Sequence, residues 1–163
     1  MNPDFSPNSA LIRELTRWWE EDLQKNRGAR AELRRCASVD EVAMTAVFAR
    51  LCHSLRGHFE GEHGWQDRLA AIAGLLAHVR SLEPGKTLPE RMAERKPGGS
   101  PTVSDLRFRR LLQRNRSELY PSLVRILHML GYRADLSDLA RALYYWGDRI
   151  KKEWAYAYFP KVA

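Results

Sequence analysis

At 163 residues the chain is long enough to bury a core without disulfide or metal staples, as one domain or two small ones. Its formal charge is +7 and its pI about 9.7, with arginine far outnumbering lysine. Such a surplus points to a polyanionic partner, because the guanidinium fork matches phosphate, and no run approaches the roughly eighteen apolar residues that would make a membrane span.

The opening residues, Met1 to Pro7, have neither the basic nor the apolar region of a secretory signal. With only Cys36 and Cys52 available, no disulfide framework is expected, and both read as reduced core residues of a cytoplasmic protein. A first helix is predicted from about Ser9 to Gln24, with Leu11, Leu15, Trp18 and Leu23 at helical spacing and Ile12 and Trp19 widening the face. The Trp18-Trp19 pair reads as packing rather than as a base-stacking platform.

Gly28 breaks the pattern, and a short helix from Ala29 to Cys36 follows. Ala29, Leu33 and Cys36 form its inner face, while Arg27, Arg30 and Arg34 form a basic stripe opposite, with Arg35 beside it. Ser38 and Glu41 have the spacing of a capping box, opening a helix that ends near Gly57. The loop beyond it, together with Cys52 and His53, holds His58, Glu60, Glu62 and His63. No C-x-x-C or H-x-x-x-H pair is among them, so no metal site and no cofactor are expected. A fourth helix is predicted from Trp65 to Leu82, with Leu69, Ile72, Leu75, Leu76 and Val79 inward.

Composition then shifts. Residues 84–101 contain Pro84, Pro89, Pro97 and Pro101 with Gly85, Gly98 and Gly99, and read as a linker between an N-terminal helical bundle (1–83) and a C-terminal one (102–163). Pro89 can start one helical turn within it, through Met92. The C-terminal part is read as three helices. The middle one is capped by Ser117, tolerates Pro121 in its first turn and stops at Gly131. The last runs from Asp135 to about Tyr158, with Leu136, Leu139, Leu143, Trp146, Ile150 and Trp154 on one stripe. No convincing strand alternation occurs, so the fold class is all-α: two small helical bundles joined by a Pro/Gly-rich segment.

The first of those three helices, Ser104 to Arg116, holds the densest charge in the chain. Ser104 is placed to cap it, and Phe108, Leu111 and Leu112 make a docking stripe. Arg107, Arg110 and Arg114 fall within about 60° of one another on one flank. Arg109 and Arg116 form a second ridge on the other flank, and Asp105 is the only acid among them. A face built for solubility would carry alternating acids; this one reads as a phosphate-facing ridge.

The strings Leu33-Arg-Arg35, Val103 to Leu112, and Leu139-Ala-Arg-Ala-Leu143 with Trp146-Gly147 and Arg149 resemble the CasB family, the small subunit of the type I-E CRISPR Cascade complex. The match runs from about Leu11 to Trp154 and is poor over 83–100. The resemblance implies a two-part helical protein without catalytic activity. Such a subunit is present in more than one copy beside the other Cascade subunits, where it helps hold the crRNA–target DNA heteroduplex and the displaced single strand and so stabilises the R-loop. Carried over by position, the nucleic-acid-binding residues are Arg34, Arg35, Arg107, Arg110, Arg116, Arg141 and Arg149; Arg30 and Arg114 join them because they share the ridges. Such contacts hold backbone phosphates and need no base specificity. A free-standing helical RNA- or DNA-binding protein is the alternative. An all-α enzyme acting on nucleic acid would need grouped carboxylates or histidines, and no such group can be assembled from the sequence.

Overall fold

In the computed structural model, which describes residues 2–163, the chain separates into two compact units at His78/Val79. The first begins with α1 (Ala10–Trp18), capped by the Ser9 hydroxyl on the Ile12 amide, and runs on as a π-helix over Trp19–Gln24. The indole N–H of Trp19 donates to the Leu76 carbonyl at 3.1 Å, and both tryptophans are buried, so their packing role stands. Asn26 caps α2 (Arg27–Arg34), which places Gly28 inside the helix and not at its border.

The single helix expected from Ser38 to about Gly57 is two, α3 (Val39–Ala43) and α4 (Ala46–Leu55). Thr45 divides them. Its hydroxyl donates to the Val42 carbonyl at 2.8 Å and accepts from the Phe48 amide at 3.1 Å, so one side chain ends a helix and starts the next. Ser38 does cap the Glu41 amide, but the Glu41 carboxylate reaches back to the amide of Ala37 at 2.6 Å. After a 3-10 turn (Arg56–Phe59), Gly64 in the left-handed region (φ 71°) turns the chain into α5 (Trp65–Leu76). Leu69 through Ala73, with Leu75 and Leu76, are fully buried in α5, so it is the hub of this unit, against which α2, α3 and α4 pack.

α5 stops short of the predicted Leu82. Ser81–Leu82 instead forms β1, a two-residue strand parallel to β2 (Arg133–Ala134), the one named strand pair among the described residues. The expectation of no strand is corrected to that extent; the all-α class holds, with ten α-helices among the described residues.

In the second unit residues 84–101 are built into the packing. Thr87 and Glu90 make a reciprocal capping box for α6 (Leu88–Ala93), whose Leu88, Met92 and Ala93 are buried against α10 (Asp148–Val162). Two carboxylates hold its approach: Asp135 accepts from the Gly85 amide at 3.1 Å and Asp138 from the Leu88 amide at 2.8 Å. α7 (Asp105–Leu112) follows. Val103 bonds the Met92 carbonyl through its own amide and accepts from the Tyr158 hydroxyl at 2.6 Å, while Phe108 stacks on Tyr158 with centroids 3.9 Å apart.

α8 (Arg116–Met129) is capped by Asn115, not Ser117, with Glu118 completing the box, and Pro121 lies in its second turn. It ends as expected at Gly131: the Tyr132 amide bonds Leu127 and the Gly131 amide bonds His128, a Schellman closure with Gly131 at φ 72°. The predicted long last helix is divided at Tyr145–Gly147 into α9 (Leu136–Tyr144) and α10, and the whole apolar stripe from Leu136 to Trp154 is buried on both sides of the break.

Candidate nucleic-acid interface

Net charge is partitioned between the units. Residues 1–78 carry 10 Arg and Lys against 11 Asp and Glu, a net of −1, while residues 79–163 carry 17 against 9, a net of +8. The basic character of the chain therefore belongs to the second unit. In the first, α2 still offers a local exception: Arg34 and Arg35 are exposed and without an ion pair among the described residues. Arg30 is half-buried and donates to the Gln24 side chain at 3.0 Å.

The arginine segment of the second unit differs from its sequence picture. α7 ends at Leu112, so Arg114 lies in the turn that follows and Arg116 is the first residue of α8. The ridge proposed for Arg109 and Arg116 does not form on one helix, and Arg109 pairs with Asp105 at 2.5 Å. The other flank does hold together. Arg107, Arg110 and Arg114 line one groove of about 250 Å³. α8 supplies its far wall, with Ser122 and Arg125 along the rim and Ile126 and Met129 at the base beside Leu111.

Sequence reading passed over Arg125. It lies nine residues beyond Arg116 on a helix whose recognisable signal is its apolar side, and it joins the other three only because α7 and α8 both line the groove. Arg107, Arg110 and Arg125 have no ion pair among the described residues; Arg107 donates to the Met129 sulfur at 3.2 Å, and Arg114 pairs with Glu118 at 3.6 Å. The guanidinium groups of Arg107, Arg110 and Arg125 repel each other around one concavity with no carboxylate paired to them among the described residues, an arrangement that an incoming anion relieves.

The remaining three expected residues are tied into the fold to different degrees. Arg116 donates to the carbonyls of Leu143 (3.0 Å), Tyr144 (3.1 Å) and Trp146 (3.5 Å), and the Trp146 indole returns a bond to the Arg114 carbonyl at 2.8 Å. Arg116 thus satisfies carbonyls released where α9 ends. Arg141 grips Glu153 with two bonds of 2.8 and 3.0 Å, which holds the Glu153 carboxyl below the usual carboxylate range and raises the guanidinium in turn. Arg149 reaches the same carboxylate at 3.7 Å, but its side chain is 87% exposed.

Among the described residues, no three His, Cys, Asp or Glu side chains group closely enough to hold a metal ion. His58 bonds Glu14, and burial pushes the Cys52 thiol up to about 11, far from the thiolate that nucleophilic chemistry requires. No helix among the described residues is long and apolar enough to cross a membrane.

The geometry thus defines a helical, two-unit protein with a concentrated basic surface on the second unit. The model of the family "CRISPR-associated protein Cse2" matches residues 29–159, the greater part of the chain, and the chain belongs to that family, the CasB small subunit of type I-E Cascade to which its motifs pointed. A chain in the crystal structure of E. coli Cascade bound to a PAM-containing dsDNA target shares the fold, with a TM-score of 0.72 over 92% of this chain and 95% of that one at 22% identity. No curated protein matches the chain.

Proposed function

We propose that the chain is a non-catalytic, nucleic-acid-binding subunit of a cytoplasmic type I-E surveillance complex, in which its arginines hold crRNA-paired target DNA and the displaced strand and prolong the R-loop. The observation that carries this reading is the groove lined by Arg107, Arg110 and Arg114, of which only Arg114 has an acidic partner among the described residues, on a unit of net charge +8. Family membership supports it, and so does the dsDNA target held by the Cascade structure whose subunit shares this fold. Arg34, Arg35 and Arg149 add exposed guanidinium groups that can meet phosphate directly. Arg30, Arg116 and Arg141 already have intramolecular partners and contribute field more than contact. The partners are crRNA, target DNA, the other Cascade subunits and a second copy of this chain.

Phosphate contacts act by releasing condensed counterions, so their contribution fades with salt. For a single strand the slope of log affinity against log salt is about −0.7 per phosphate neutralised. Replacing Arg107, Arg110 and Arg114 together by Ala should therefore flatten that slope by about two units for every sequence alike and shorten R-loop lifetime in the reconstituted complex. Arg13→Ala with Arg17→Ala, on a helix balanced by Glu14, Glu20 and Glu21, serves as the control. An unchanged slope in the triple variant overturns the assignment.

A further inference from the structure

Arg107 and Arg110 rise from α7, whose backbone ladder fixes the points from which their side chains start. Arg114 has no such support, because it lies in the turn between α7 and α8. Its own amide donates to the Leu111 carbonyl at 3.0 Å, and the next amide, that of Asn115, donates to the Glu118 carboxylate at 3.3 Å. A further bond comes from far along the chain: the Trp146 indole N–H donates to the Arg114 carbonyl at 2.8 Å, across 32 positions. Trp146 is 8% exposed and packs edge-on against buried Trp154, with ring centroids 5.0 Å apart. The donor is therefore held by packing, and its bond is largely shielded from water.

Trp146 lies outside the groove lining, so this bond does not build the groove wall. What it fixes is the backbone that carries Arg114, whose side chain has a competing partner in the Glu118 carboxylate at 3.6 Å. A turn free to shift could tighten that ion pair and draw the guanidinium away from the other arginines. We propose that Trp146 is a positioning residue: through the Arg114 carbonyl it holds the turn where the Arg114 side chain lines the groove instead of closing on Glu118. The proposal rests on the nucleic-acid reading above and adds to it a residue that meets no phosphate. Packing alone does not call for tryptophan, since a phenylalanine ring could rest on Trp154 but offers no donor.

The test is a double-mutant cycle on the full chain, read as the salt dependence of its affinity for an oligothymidylate. Arg114→Ala and Trp146→Phe should each flatten the slope of log affinity against log salt by about 0.7. Combined, they should flatten it no further than either does alone, because they remove the same contact. In an Arg107→Ala background Trp146→Phe should still take off about 0.7, since that contact is independent. Site-specific replacement of Trp146 by benzothienylalanine keeps the bicyclic shape, removes only the N–H, and should reproduce Trp146→Phe even where the smaller ring loosens the fold. A wild-type slope with benzothienylalanine, while Arg114→Ala flattens it, overturns the proposal and leaves the nucleic-acid reading standing. An equal loss on Trp146→Phe in the Arg114→Ala background makes Trp146 a structural residue only and overturns it as well. An Arg114→Ala slope equal to wild type does the same, and if Arg107→Ala and Arg110→Ala are also silent, the nucleic-acid reading of the groove falls with it.

Discussion

The Arg116 guanidinium lies against the end of α9 and donates to three carbonyls there, while Arg110 and Arg125 face open groove with no ion pair among the described residues. The same side chain thus serves the fold in one place and the surface in another, and its neighbours decide which. Removing Arg116 takes its hydrogen bonds away from part-buried carbonyls, and a lost charged hydrogen-bond set costs about 1.5–3 kcal/mol. For a chain of this size Arg116→Ala should lower the melting temperature by roughly 5 °C, with the salt slope of nucleic-acid binding unchanged. Arg116→Lys should recover little, because one ammonium cannot reproduce the fork. Differential scanning fluorimetry and a salt titration on the same variant separate the roles. A normal melting temperature with a slope flatter by about 0.7 makes Arg116 a phosphate contact instead.

At the scale of elements, α6 depends on a carboxylate from α9. Asp138 accepts the Leu88 amide, and burial pushes its carboxyl up to about 6, assisted by the negative charges of Asp135 and Glu90 and opposed by the Leu88 amide and Arg141. The folded state therefore holds a proton that the unfolded chain has released between its ordinary value of 3.8 and about 6. Asp138 contributes most stability below the lower value and loses it as pH rises through the upper one. Asp138→Asn can keep the amide bond through its carbonyl oxygen but cannot ionise. Its melting temperature relative to wild type should thus climb from about pH 4 to pH 7, and a pH-independent difference would count against this account. The break between α3 and α4 has an equally local cause. Thr45→Ala removes the cap on the Phe48 amide and should cost about 1 kcal/mol in chemical denaturation.

For the whole molecule, the partition of charge, net −1 against net +8, puts the basic surplus in residues 79–163, where the proposed polyanion binding should be tested first. Charge reversal at Arg107, Arg110 and Arg125 should weaken binding more than Ala does, since repulsion is added to lost attraction. The proposed role, holding nucleic acid, needs no hydrolysis. Incubation with magnesium, manganese or zinc should leave labelled DNA and RNA intact relative to that charge-reversed control. Cleavage that survives repurification and disappears on mutation of His58 or His63 would refute the non-catalytic reading.

Much of this was legible from the chain alone because it follows from spacing and local chemistry. The all-α class, the buried stripes of α1, α5 and α8, the Ser9, Ser104 and Gly131 helix ends and the Arg107–Arg110–Arg114 flank all depend on residues within one or two turns of each other. The motif strings were likewise sufficient for the family. Tertiary structure decided what depends on residues distant in sequence. Residues 84–101 looked like a linker by composition, yet Asp135 and Asp138 tie them down from α9, about fifty positions away. Ser81–Leu82 looked helical until it found Arg133–Ala134 as a partner. Arg125 became part of the groove, and Arg116 left the ridge for the end of α9, because helix packing chooses which face of each helix meets which neighbour, and periodicity within one helix carries no record of that choice.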